Sequence, residues 1–156
     1  MTIIDKFLSK TIRVYQFTGG VVGFIVLTIL ITNNRYENFW NVASLILGTL
    51  FFGFHLWLAF LKKEKLWIFT SLMSCVVQSF YFCSSSFFVY KFVCGFGTIP
   101  IFRLRSFTLI GQSYPYSIVS IGRIQEGSIT GWGINVLSLF ILLFLTYLLL
   151  KYYLKK

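Results

Sequence analysis

The chain has 156 residues, of which 57% are hydrophobic, 21% aromatic and 12% charged, and its formal net charge is +10. A mean hydropathy of +0.81 and half the roughly 25% charge content of soluble domains exclude an ordinary water-soluble core. Such a basic excess would suit nucleic acid in a soluble protein, but here it sits in short clusters at the ends of apolar runs, where it sets membrane topology.

Residues 1–13 form an amino-terminal arm. Ile3, Ile4, Phe7, Leu8 and Ile12 recur at helical spacing, with Asp5, Lys6 and Lys10 elsewhere around the turn. This predicts an amphipathic helix on the inner membrane surface or an extension of the helix that follows. The apolar run continues without the small-residue cleavage site of a secretory signal, so the first span is expected to be retained.

Four stretches carry no charged side chain: Val14–Asn34, Asn38–Leu61, Leu66–Tyr90 and Gly127–Leu150, of 21, 24, 25 and 24 residues. About 20 apolar residues in a helix cross a hydrocarbon core of roughly 30 Å. The fold expected is therefore an all-α membrane protein of a single domain. Its four transmembrane helices are placed at about 14–34, 38–61, 66–90 and 131–151, with a small β-rich segment outside the membrane between helices 3 and 4, at about 92–130.

Span one holds Gly19 and Gly23 four residues apart, and span two holds Ser44 and Gly48 at the same spacing. Such small-xxx-small pairs let helix backbones approach closely, so the two faces are expected to dock on each other or on a partner. Span three carries the polar residues Ser71, Ser74, Cys75, Gln78 and Ser85 on one face. Polar groups in hydrocarbon need partners, so this seam is expected to look inward. A rise of about 1.5 Å per residue puts His55 of span two level with Ser71, which predicts a hydroxyl partner at Ser71 or Ser74 and places Gln78 against Gly48 and Thr49.

From Lys91 to Gly131 the pattern changes. Glycines and prolines interrupt it, and Ile99–Ile110 and Tyr116–Ile124 are rich in β-branched and aromatic residues, predicting two or three short strands with a bulge near Ser106. Arg103, Arg105 and Arg123 lie here as interfacial anchors, or as contacts for lipid phosphates or an acidic partner, since the guanidinium fork donates two hydrogen bonds to one phosphate. Trp132 and Tyr114–Tyr116 are expected in the outer aromatic belt, and Trp67, Tyr152 and Tyr153 in the inner one.

Charge placement sets the topology. Lys6, Lys10, Arg13, Lys62, Lys63, Lys65, Lys151, Lys155 and Lys156 fall on one side of four crossings, which places both ends of the chain on the cytoplasmic or matrix side. A bacterial or organellar inner membrane is expected, and the presence of only two alanines among 19 phenylalanines points to an AT-rich coding sequence.

Chemistry is limited by what the spans omit. Asp5, Glu37, Glu64 and Glu126 are the only acids, and none lies within a span, where proton relays need them. One histidine and three dispersed cysteines make neither a zinc site nor a bis-histidine haem. Neither a metal nor a cofactor is therefore expected, nor an enzymatic activity.

The function these residues suggest is a non-catalytic accessory or structural subunit of a larger membrane assembly, such as a respiratory or other energy-transducing complex. Its partners would be membrane lipids and other membrane subunits, not nucleic acid or a soluble small molecule. The alternative is a small oligomeric transporter or channel with its path along the polar face of span three. A lipid-handling enzyme at the outer arginines lacks a nucleophile and base.

Overall fold

The computed structural model describes residues 2–32, 39–83, 89–93, 97–103, 108–114, 118–122 and 131–154. Among the described residues are four helices, α1 (Ile3–Thr32), α2 (Phe39–Phe60), α3 (Glu64–Ser79) and α4 (Val136–Leu154). Between α3 and α4 lie six strands: β1 (Phe80–Cys83), β2 (Val89–Val93), β3 (Gly97–Arg103), β4 (Thr108–Tyr114), β5 (Ile118–Gly122) and β6 (Gly131–Ile134). Helices α1 and α2 are long and apolar enough to cross a membrane.

Helix α1 starts at a reciprocal cap. The Thr2 backbone N–H donates to Asp5 Oδ2 at 2.8 Å, and the Asp5 N–H donates to Thr2 Oγ1 at 3.3 Å. Two of the four donors left open at a helix start are thereby satisfied. The helix then runs unbroken for 30 residues from Ile3 to Thr32, so the arm continues into the helix that follows, the second of the two arrangements expected. Its inward face is partly polar. Asp5, Ser9, Ile12, Gln16, Gly20, Gly23 and Leu27 are buried, while Ile3, Ile4 and Phe7 are exposed.

Helices α1 and α2 run antiparallel and meet through glycine. A Cβ on Gly23 would stand 2.4 Å from the Phe52 ring, and one on Gly20 would stand 2.8 Å from Leu56 and 3.1 Å from the Phe52 carbonyl oxygen. Mid-helix glycine costs about 1 kcal/mol relative to alanine, and here that cost is offset by a large side chain seated on bare backbone. Gly19 is buried as well, but the tight approach uses Gly20 and Gly23, three residues apart. On α2 the neighbour of Gly48 is Leu27, and Ser44 is half-buried. The expected pairing of two small-residue faces is thus replaced by large side chains from each helix filling the other's gaps.

Arg13 closes the end of α2. Its Nη1 donates to the Leu61 carbonyl at 2.7 Å and to that of Ala59 at 3.4 Å, satisfying acceptors that a helix C-terminus leaves open. The same guanidinium lies 4.2 Å from the centroid of the Trp67 ring, which fixes α1 against the start of α3.

Helix α3 stops at Ser79, so the expected continuous helix over 66–90 does not form. An absence of charge measures apolar length without specifying a helix. Phe80, Tyr81, Phe82 and Cys83 instead favour extended backbone, and β1 pairs on both sides, with β2 and with β6. At 131–134 the expected fourth span is likewise strand, and α4 begins only at Val136. The Asn135 N–H donates to the Ser79 carbonyl at 3.0 Å, so the pair α3 and α4 passes directly into the pair β1 and β6.

The sheet is antiparallel throughout, in the order β4-β3-β6-β1-β2-β5. Strand β3 pairs with β6 only from Ile101 to Arg103, so Pro100, which has no N–H to give, lies outside that pairing. Edge strand β5 rests beside α2, and β3 beside α4. Phe92 of β2 meets Phe51 of α2 with ring centroids 5.2 Å apart at 78°, an edge-to-face contact.

Ile12, Leu58, Trp67, Ile68, Cys75, Leu145 and Leu148 form the core cluster, so every helix contributes to it. Leu27 and Phe52 form a second cluster with Phe24, Leu45 and Phe51. Gly23→Ala is expected to destabilise the protein by about 1–3 kcal/mol, the usual cost of overpacking. Adding Phe52→Leu should recover part of that loss, measured as thermal midpoints of the single and double variants.

Candidate functional site

The polar side chains gather in one seam inside the helices. Gln16 of α1 uses both ends of its carboxamide: Nε2 donates to Ser71 Oγ at 2.9 Å, and Oε1 accepts from Trp67 Nε1 at 3.1 Å. About one helical turn further along α3, Ser74 Oγ and Gln78 Nε2 lie 2.8 and 3.0 Å from Nε2 of His55, and Gln78 also donates to Ser74 at 3.2 Å. Gln16, His55, Ser71, Ser74 and Gln78 are all buried. The seam holds because Trp67, Ser71, Ser74 and Gln78 recur every three or four residues and so share one face of α3.

The hydrogen bonds assign the tautomer of His55. Nδ1 lies 2.8 Å from the Phe51 carbonyl oxygen, which can only accept, so Nδ1 carries the proton. The lone pair of Nε2 is then shared between two donors, the Ser74 hydroxyl and the Gln78 amide. The ring is held further by Phe51 at 4.4 Å and Phe54 at 6.1 Å between centroids. This arrangement orients helices and fixes a neutral imidazole. A nucleophile activated by an adjacent base would need a hydroxyl facing open space, and Ser74 faces the buried His55 and Gln78.

The structure thus brings His55 to Ser74, while Ser71 is taken by Gln16. Gln78 turns to His55 rather than to Gly48 and Thr49; Thr49 is exposed, with its hydroxyl on the Leu45 carbonyl. Cys75 belongs to the apolar cluster and does not join the seam. Ser85, Arg105 and Arg123 lie outside the described residues, and Arg103 ends β3, where the backbone alone is described. Trp67 is fully buried and is no belt residue. Trp132 is 45% exposed.

Gln16 was missed because it stands alone in an apolar run, where one polar residue makes no periodic pattern. Its lack of company was itself the available signal: an amide set among apolar residues and buried must have a partner. A second missed pair joins the two ends of the chain, with Lys151 Nζ 2.6 Å from Asp5 Oδ2 and 3.1 Å from the Tyr147 hydroxyl. The Lys151 ammonium, helped by the Thr2 backbone N–H, holds the Asp5 carboxyl down to about 2 from its ordinary 3.8. Among the described residues, Ser9 Oγ and Asn135 Nδ2 are buried without a hydrogen-bond partner. The other end of the Asn135 amide accepts from the Ser138 N–H at 3.4 Å and caps α4, as an N-cap asparagine does.

No group of three or more potential metal ligands occurs among the described residues. Comparison with protein-family models, curated proteins and solved structures returns no match.

Nitrogen NMR of the single histidine should show a neutral, Nδ1-protonated ring at neutral pH. An Nε2-protonated ring would contradict the seam as described. His55→Leu leaves the Ser74 hydroxyl and the Gln78 amide without their shared acceptor and is expected to cost about 1–3 kcal/mol, the penalty for a buried unsatisfied group.

Because the Asp5 pKa is lowered by folding, its contribution is present above about pH 4 and is lost as pH falls toward 2. An acid titration of the thermal midpoint should show this loss in the wild type, and Asp5→Asn should remove that component.

Proposed function

We propose that the chain is a non-catalytic subunit of a larger membrane assembly, spanning the bilayer four times and presenting its sheet on the outer side. The observation that carries this reading is that the helices are turned inside out relative to a soluble bundle. Exposed large apolar residues cover them, among them Ile25 and Ile29 of α1, Phe69 and Met73 of α3, and Phe140 and Leu143 of α4. The polar side chains of the seam are buried and bonded to one another. A bilayer favours that distribution and water opposes it.

The crossings through α3 and α4 combine helix with strand. At 1.5 Å per residue, α3 alone covers about 24 Å of the roughly 30 Å hydrocarbon core, and β1 continues the path. Extended backbone at that depth is tolerable because β1 is paired on both edges and leaves no open ladder to lipid. Phe80, Phe82 and Trp132 are exposed at this level, which suits an outer aromatic belt. Arg13, Lys62, Lys63 and Lys151 gather at the opposite end of the helices, in agreement with cytoplasmic or matrix-side ends of the chain.

The accessory role rests on how the seam is used. A transport path needs polar groups facing a passage and usually an ionisable group at depth. Here Ser71, Ser74 and Gln78 of α3 are spent on contacts with α1 and α2, and the Thr70 and Ser79 hydroxyls on carbonyls of α3 itself. The apolar helix faces remain to meet lipid or neighbouring subunits.

Solubilisation in mild detergent followed by native mass spectrometry tests the proposal. Stoichiometric association with a different membrane protein is expected. A homogeneous homo-oligomer that conducts ions or solutes in proteoliposomes, and loses that flux in Gln78→Leu, would overturn it in favour of a transporter.

A further inference from the structure

The geometry points to a binding site for an anionic phospholipid of the inner leaflet, in the groove between α1 and α2 at their basic end. This inference rests on the membrane reading above and names a ligand for one face of it.

The groove has a volume of about 290 Å³ and is lined by Lys10, Arg13, Val14 and Phe17 of α1 and by Ala59 and Phe60 of α2. Its residues are sorted along the helix axis. Val14, Phe17, Ala59 and Phe60 form an apolar wall, in which the Phe17 and Phe60 rings stand edge to face with centroids 5.7 Å apart. Lys10 and Arg13 lie toward the end of α1 that the positive-inside rule assigns to the cytoplasmic or matrix surface. Lys62 and Lys63, both exposed, follow α2 directly on the same side.

This order of groups matches an amphiphile whose phosphate meets the lysines and whose first acyl methylenes lie on the two phenylalanines. Arg13 is committed in part, since its Nη1 closes α2 and its plane covers Trp67. It therefore supplies fixed positive potential at the mouth. Lys10, Lys62 and Lys63 supply movable donors, and among the described residues none of the three is held in an ion pair: Asp5 is paired with Lys151, and Glu64, in the first turn of α3, acts on Arg13.

A zwitterionic headgroup would bring its own cation into this cluster, whereas a net negative headgroup would not. Each lysine near a leaflet surface contributes roughly a fivefold factor to anionic-lipid attraction, and the groove adds a defined place for the chain beneath the headgroup. A second groove, of about 270 Å³ between α1 and α4 and lined by Ile12, Tyr15, Phe140 and Phe144 among others, has no basic residue in its lining. It serves as the internal contrast.

The test uses the full chain in nanodiscs of phosphatidylglycerol and phosphatidylcholine at a fixed ratio. It compares wild type with the triple variant Lys10→Gln, Lys62→Gln, Lys63→Gln by native mass spectrometry of retained lipid. Wild type should hold phosphatidylglycerol at least fivefold above its bulk share, and the triple variant should fall to the bulk ratio. Phe17→Ala with Phe60→Ala should lower retention of both lipids without changing their ratio.

Equal phosphatidylglycerol enrichment in the wild type and the triple variant overturns the site, as does displacement of the lipid by inorganic phosphate. All three lysines are exposed, so an unchanged thermal midpoint verifies that the variant is folded. A protein that partitions into water rather than into the nanodisc would defeat the membrane reading itself; an inserted protein without enrichment defeats this site alone.

Discussion

Gln16 is the point on which the helix arrangement turns. Its carboxamide has one donor end and one acceptor end, and both are used by α3, through Ser71 and Trp67. An apolar contact tolerates rotation of one helix about its axis, whereas a carboxamide with both ends bonded does not. Once Gln16 is placed, Gly20 and Gly23, at four and seven residues further along the same face, must point the same way, and α2 is the helix that comes down on them. Trp67, held in place from below by Gln16, in turn offers its face to Arg13. The orientation of three helices thus follows from one buried amide.

The second polar group extends the same logic upward. His55 is the acceptor that gives Ser74 and Gln78 a common destination, and without it both would lose their hydrogen bond to α2. The membrane reading makes such contacts more consequential than in water, although measured values for single interhelical hydrogen bonds in membranes average only about 0.6 kcal/mol. Their main effect here is specificity: they select one register of α2 against α3 among the many that apolar surfaces alone would allow.

Much of this was legible in the sequence, and the failures have physical causes. Charge-free length located the apolar segments, and helical spacing placed Ser71, Ser74 and Gln78 on one face of α3 with His55 within reach. The same length criterion failed at Ser79, because a helix and an aromatic strand are equally free of charge and only sheet partners distant in the chain decide between them. Phe80 to Cys83 became strand because residues 131–134 lie alongside, a pairing across some fifty residues that no local pattern reveals. Gly20 was overlooked in favour of Gly19 because the four-residue motif describes two small faces meeting, while this interface seats Phe52 and Leu56 on the bare backbone. Asp5 looked like part of a solvated face; its partner, Lys151, is 146 positions away.

That last separation has a consequence for the order of events during synthesis. Helices α1 and α2 contain within themselves the glycine contacts that join them, so they can associate as soon as both have emerged. Asp5, by contrast, waits for a lysine made near the other end of the chain. Until α4 arrives, the first turn of α1 keeps its cap from Thr2 but an unneutralised carboxylate, on a face that will later be buried. Closure of this clasp is therefore a late step, and it reports that α4 is in place.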